Sequence, residues 1–302
     1  MRIRLDEHLA DPGVLSRIAP GLTPSGRSAE ADDEQIARID FHEAAHGRSR
    51  AGAGWHGEAP PPRLVREAAS EIMACYGRRR PDEMRARMPL LLRRAEARLA
   101  ARGPVDRRSE VEVLARERRY DGFYALDEYR LRHRQYGGGW SEAVERGTLI
   151  SYDAVIVLPY DPASDRVLLV EQFRIGPFAR GASDPWSSEP VAGLIDPGES
   201  AEETARREAR EEAGLELTRL IPLGAGYTSP GASTGYHHHF IGLCEIPEAP
   251  RRGGLADEDE DIRAVPEPAE TFLERLDAGT LGNAPTILCA QALRTLRPAL
   301  RA

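Results

Sequence analysis

GLIDPGESAEETARREAREEAGL, residues 193–215, is the stretch whose reading decides the fold. Ser200, followed three residues later by Glu203, forms a capping box, and Gly214 supplies a residue suited to a left-handed helix end. The spacing predicts a helix over 201–213. Ala201, Ala205, Ala209 and Ala213 recur at every fourth position and make a narrow stripe of small residues, which lets the helix sit close against a sheet. Glu202 with Arg206, and Glu203 with Arg207, are pairs in the favourable order for surface ion pairing.

Glu208, Glu211 and Glu212 are different, because they share one face of this helix. Arg207 is within reach of Glu211, whereas Glu208 and Glu212 are expected to have only each other and uncharged neighbours. Like charges four residues apart cost about 0.2–0.5 kcal/mol, and Glu212 also opposes the helix dipole in the last turn. A solvated acidic face is the plain explanation. A divalent cation is the chemical one: Mg²⁺ takes one or two carboxylates, keeps waters and shares phosphate oxygens.

Working outward, 302 residues suggest two domains, and 41% apolar content is enough for a core. The net charge of −8 argues against a nucleic-acid or anionic-membrane surface. The apolar run AVIVL at 154–158 is far too short to span a bilayer, and the first residues carry no apolar signal segment. Cys75, Cys244 and Cys289 form no zinc pattern, which fits a reducing, cytoplasmic compartment. All 41 basic residues are arginine. A P-loop lysine, a Schiff base and a kinase-type lysine are therefore excluded, and any phosphate is held by arginine, backbone N–H or metal.

Residues 1–60 show weak periodicity and end at three prolines, 60–62. Helices are predicted over 63–76 and over 82–101, the second interrupted by Pro89. After a linker at Gly103-Pro104 the pattern turns to strands near 111–115, 123–133, 148–158, 167–175, 217–223, 236–245 and 262–265. Two helices close the chain, near 269–278 and 284–297. This order predicts an α/β or α+β sandwich. The domains expected are a mostly helical accessory region, 1–104, and a second domain, 109–302.

The frame around the acidic face is Gly193, five residues, Glu199, seven residues, Arg207-Glu208-Ala209, one residue, Glu211-Glu212, one residue, Gly214-Leu215. It resembles the signature of the Nudix hydrolases at every defined position, with only the apolar place filled weakly by Ala209. YDGFYALDEYRLRHR, VLPYDPASDRVLLVEQFRIGPF, TSPGAS and GNAPTILCAQAL extend the resemblance over about 109–299, to the ADP-ribose pyrophosphatase branch, as does Pro230, fifteen residues past the signature. The resemblance implies an α/β/α sandwich with a mixed sheet, a homodimer sharing strands near 110–150, and Mg²⁺ or Mn²⁺ as cofactor. It implies metal contacts from Glu208, Glu212, Glu260 and the Ala192 carbonyl, with Arg207 holding Glu199. It offers Glu258, in the acidic run 257–261 (DEDED), as the base that activates water, with Glu211 competing. Phe123 and Tyr124 match an adenine-stacking pair, and Arg146, Arg174, Leu194, Ser229 and Gly231 match substrate contacts. The implied products are AMP and a sugar phosphate. Gly235 and Ser151 depart from the family pattern, which leaves the preferred nucleoside diphosphate sugar open. A non-catalytic nucleotide sensor is the alternative, against which the intact glutamates weigh.

A rival motif, His42-Glu43-x-x-His46, has the spacing of a zinc metalloprotease site, although the metzincin third ligand is missing. Its surroundings, with the helices that follow, resemble the leading part of tellurite-resistance-type Nudix proteins, there a cyclotransferase-like segment, here degenerate or truncated. His237, His238 and His239 read as strand residues, with His237 and His239 on one side.

Overall fold

The structure is a computed structural model that describes residues 2–4, 9, 11–25, 28–45, 62–101, 104–249, 251–254 and 261–301. The chain forms two compact units, residues 1–152 with 229–234, and residues 153–228 with 235–302.

In the first unit, strands β1 (Arg2–Arg4) and β2 (Ser28–Glu30) pair as an antiparallel ribbon. Helices α1 (Pro12–Ile18), α2 (Asp33–Ala45), α3 (Pro62–Met73), α4 (Pro81–Ala86) and α5 (Met88–Ala100) pack around Leu15, Ile18, Ile39, Ile72, Met84 and Leu91, all buried. The helix expected over 82–101 breaks at Arg87, directly ahead of Met88-Pro89, because proline fits only the first turn of a new helix. An antiparallel sheet follows, with β3 (Val111–Asp121), β4 (Ala125–His133) and β5 (Val144–Ile150) in sequential order. The weak periodicity of the first sixty residues hid α1 and α2, which are short or carry scattered apolar positions.

The second unit contains β6 (Asp153–Asp161), β7 (Arg166–Phe173), α6 (Ile175–Arg180), β8 (Trp186–Glu189), β9 (Val191–Leu194), α7 (Ala201–Ala213), β10 (Arg219–Tyr227), β11 (Tyr236–Leu243), β12 (Arg251–Gly253), β13 (Ile262–Pro268), α8 (Ala269–Asp277) and α9 (Ala284–Leu300). The sheet runs β10-β11-β6-β7-β13-β12, with β9 on β6 and β8 on β7. It is mixed because β11 and β6 are parallel while the other pairs are antiparallel. β6 is buried almost throughout, as a central strand covered on both faces must be. Val155, Val157, Leu168 and Val170 pack under α7, while Ile156, Leu158, Leu169 and Ile241 pack under α8 and α9. The alternation of these residues along β6 and β7 builds the expected α/β/α sandwich. Among the described residues no helix is long and apolar enough to cross a membrane.

The small-residue stripe does what its spacing predicts. Ala205, Ala209 and Ala213 are at most 2% exposed beneath α7. Ala209→Leu should therefore overpack this face and lower stability by about 1–3 kcal/mol in denaturant unfolding. An unchanged midpoint would contradict the close packing.

Candidate active site

Helix α7 begins on Ser200, whose hydroxyl accepts from the Glu203 N–H at 3.3 Å, while the Glu203 carboxylate accepts from the Ser200 N–H at 2.8 Å. It ends at Gly214, which is left-handed with φ 65°. Between these caps the alanine face turns Glu208 and Glu212 toward β9. The Glu212 side chain is buried, and its Oε2 accepts from the Ala192 N–H at 3.1 Å. The Glu208 carboxylate lies against Gly193, so closely that a Cβ at that position would overlap it. Glycine at 193 is thus required by approach rather than by backbone conformation. Gly253 plays the same part at the far end, where a Cβ would overlap the Glu212 carbonyl, and the Gly254 N–H donates to the Glu211 carbonyl at 3.2 Å.

The expectation that Glu208 lacks a cationic neighbour is corrected. Arg207 donates to Glu208 at 2.7 Å, to Glu211 at 2.9 Å, to Glu199 at 3.0 Å and to the Leu194 carbonyl at 3.2 Å. Adjacent residues on a helix point about 100° apart, but the long guanidinium stem folds back across that gap. Arg207 and Thr204 together hold the Glu199 carboxyl below the usual range, chiefly through the hydrogen bonds from Arg207.

The other expected residues fall in both units. In the second, Arg174 donates to Glu189 through two nitrogens at 3.1 and 2.8 Å. In the first, Phe123 and Tyr124 stand at the β3–β4 turn, 52% and 40% exposed, with ring centroids 4.9 Å apart. Arg146 is exposed on β5. Ser229 and Gly231 lie in a loop that pairs with β5, the Leu149 N–H donating to the Ala232 carbonyl at 2.8 Å. Glu258 and Glu260 lie outside the described residues, as does His46. His42 and Glu43 are buried on α2, hydrogen-bonded to each other at 3.2 Å. Gly235 and Ser151 serve the backbone: the Gly235 carbonyl accepts from the Thr228 N–H at 3.0 Å, and the Ser151 N–H donates to Thr234 at 2.9 Å. His237 and His239 do face the same way, ring centroids 6.0 Å apart, and burial lowers the pKa of all three histidines, His237 to about 4. Burial pushes the Cys75 thiol up to about 11 and those of Cys244 and Cys289 to about 12, which removes them as nucleophiles.

Among the described residues no group of three or more His, Cys, Asp or Glu is arranged to hold a metal ion. What α7 presents is a pair of carboxylates, Glu208 and Glu212, one turn apart and both against β9. Two hard oxygen ligands are the protein share that Mg²⁺ ordinarily takes beside water and phosphate.

Sequence reading passed over Asp153, at the start of β6. Its carbonyl accepts from the Ile195 N–H at 3.1 Å, and burial raises its carboxyl to about 6. The one available signal was an acid opening the apolar run AVIVL. A raised carboxyl means the folded state binds the proton more tightly than the unfolded one. Stability therefore falls as pH rises from the ordinary aspartate value of 3.8 to about 6. Asp153→Asn should flatten that window in thermal unfolding and raise the midpoint above pH 7. A variant whose pH profile parallels the wild type would refute the assignment.

A NUDIX domain model matches residues 151–281. The chain is 39% identical over 194 residues to the ADP-ribose pyrophosphatase of Escherichia coli K12, covering 64% of this chain and 92% of that protein. It is 33% identical over 153 residues to the GDP-mannose pyrophosphatase of Cronobacter sakazakii, covering 51% and 76% respectively. A crystal structure of an ADP compounds hydrolase superposes with a TM-score of 0.48 and 21% identity, covering 64% of this chain and 97% of that one. With the Glu199–Arg207–Glu208–Glu212 frame assembled at α7 and the Escherichia coli pyrophosphatase matched over 92% of its length, the chain belongs to the Nudix hydrolase family.

Proposed function

We propose that the protein hydrolyses the diphosphate bond of ADP-ribose or a related nucleoside diphosphate sugar, releasing AMP (or the matching nucleoside monophosphate) and a sugar phosphate. The observation that carries this reading is the placement of Glu208 and Glu212 side by side against β9, braced by Arg207. The similarity to an ADP-ribose pyrophosphatase over 92% of its length supports the substrate, and that to a GDP-mannose pyrophosphatase supports the wider class.

Glu208 and Glu212, with Glu260 and the Ala192 carbonyl, would hold Mg²⁺ or Mn²⁺. When bound, the cation neutralises the diphosphate and makes water a better nucleophile. The protein's own residues do the rest. Phe123 and Tyr124 stack on the base, Arg146 and Arg174 contact the diphosphate, and Leu194, Ser229 and Gly231 position the substrate. Glu258 or Glu211 takes the proton of the attacking water. The water oxygen bonds to one phosphorus, the bridging P–O bond breaks, and the bond's electrons leave on the second phosphate. Arg207 keeps Glu199 and the loop in place throughout. The protein acts in the cytoplasm as a homodimer. Val113, Leu114 and Leu126, apolar and at least 40% exposed on β3 and β4, support pairing through that sheet.

The test is product analysis with ADP-ribose, other ADP-sugars and GDP-mannose in Mg²⁺. AMP from ADP-ribose at the highest kcat/KM is expected, and Glu212→Gln should lower kcat by about 100-fold or more. Gly193→Ala should displace the Glu208 carboxylate and cost about 100-fold, since an ångström of misplacement is that expensive. No release of nucleoside monophosphate from any of these sugars would refute the reading and favour a sensor.

A further inference from the structure

The first unit holds a buried cluster in which arginines outnumber acids. Glu71 and Asp127 are fully buried, and Asp121 nearly so, among Arg79, Arg87, Arg94, Arg98, Arg116 and Arg118. Six guanidinium groups against three carboxylates leave donors that carboxylates alone cannot satisfy. A buried, unsatisfied donor is costly, so further acceptors must be close by.

Those acceptors are the backbone carbonyls of the β3–β4 turn. Arg79 and Arg87 both donate to the Asp121 carbonyl, Arg87 at 3.2 Å. Arg87 reaches the Gly122 carbonyl at 2.5 Å, and Arg94 reaches it at 3.2 Å. Arg94 continues to the Phe123 carbonyl at 2.9 Å, which also accepts from the Tyr152 hydroxyl. The Asp121 carboxylate closes the arrangement, taking Arg79 at 3.0 Å, Arg94 at 3.2 Å and Arg87 at 3.3 Å. Three consecutive carbonyls are thus gripped from α5 and from the segments on either side of α4, 28 to 42 residues away in sequence.

The same grip reaches the rings. The Arg94 guanidinium lies 5.5 Å from the centre of the Tyr152 ring. Tyr152, 1% exposed, forms a floor beneath Phe123 and Tyr124, with centroids 5.4 and 6.0 Å away. Half-exposed rings at a turn ordinarily sample several rotamers. Here the backbone beneath them is fixed at three successive residues.

We infer that Arg79, Arg87 and Arg94 are positioning residues, through which the N-terminal helical region presets the Phe123–Tyr124 platform for a nucleotide base. This rests on the reading of that pair as a base-binding surface. It gives the accessory helices, which lie outside the family match at 151–281, a role in substrate affinity.

The test uses the whole 302-residue chain and two readouts. Hydrogen exchange of the backbone across 120–126 should rise in Arg87→Ala and Arg94→Lys. Because stacking on an aromatic pair is worth roughly a tenfold change or more per base, KM for ADP-ribose should rise about tenfold in Arg87→Ala with kcat within twofold. Arg98→Ala is the control: Arg98 pairs with Glu71 rather than the turn, so the unfolding midpoint should drop while KM and turn exchange stay at wild-type values. Unaltered exchange in the turn of folded Arg87→Ala and Arg94→Lys would overturn the inference. So would an unaltered KM beside an active wild type, or an Arg98→Ala variant that raises KM equally. A wild type that cleaves no nucleoside diphosphate sugar overturns the functional reading, and the platform role with it.

Discussion

One side chain holds the acidic end of the second unit together. Arg207 spans Glu199, Glu208, Glu211 and the Leu194 carbonyl. Each acid is only partly buried, so no single pair contributes much on its own. The value lies in the geometry: one planar donor ties the loop before α7 to Glu208 and Glu211 on its acidic face. The loop entering the helix, the helix itself and β9 cannot shift independently while that guanidinium is in place. A lysine could not substitute, because an ammonium lacks the rigid fork.

The same chemistry recurs in the first unit, where Glu71 is fully buried. Burial alone would raise its carboxyl, but Arg98 and Arg118 hold it down at about 2. Breaking such a network from one side leaves an uncompensated buried charge, which is strongly destabilising. A chain whose basic residues are all arginine is suited to this, since each head supplies five donors that cannot be deprotonated. The hubs at Glu71, Asp121 and Arg207 are therefore variations on one device. Acids and planar guanidinium donors are clustered, and donors left over go to backbone carbonyls.

Much of this was legible in the order of residues. Ser200, Glu203 and Gly214 marked the ends of α7, and the alanine spacing marked its buried side. The two closing helices and most strands of the second unit appeared within a few residues of their predicted limits. What escaped shares a physical cause, in that it depends on reach or on contacts distant in sequence. Spacing on a helix assigns Arg207 to Glu211, but not to Glu208, because rotamer reach is not periodic. α6, β8 and β9 are too short for periodicity to register. Asp153 reads as an ordinary acid until the sheet closes around it. Nothing near Arg87 or Arg94 in the sequence announces that their partners are the carbonyls of residues 121–123.

The central claim is that Glu208 and Glu212 stand together against β9 to receive a divalent cation. Titration calorimetry with Mn²⁺ on the folded wild type and on Glu208→Gln and Glu212→Gln tests it most directly. The account predicts saturable uptake by the wild type and affinity weakened about tenfold or more in each variant, as loss of a carboxylate ligand demands. Equal uptake by all three proteins, or none by the wild type, would contradict it.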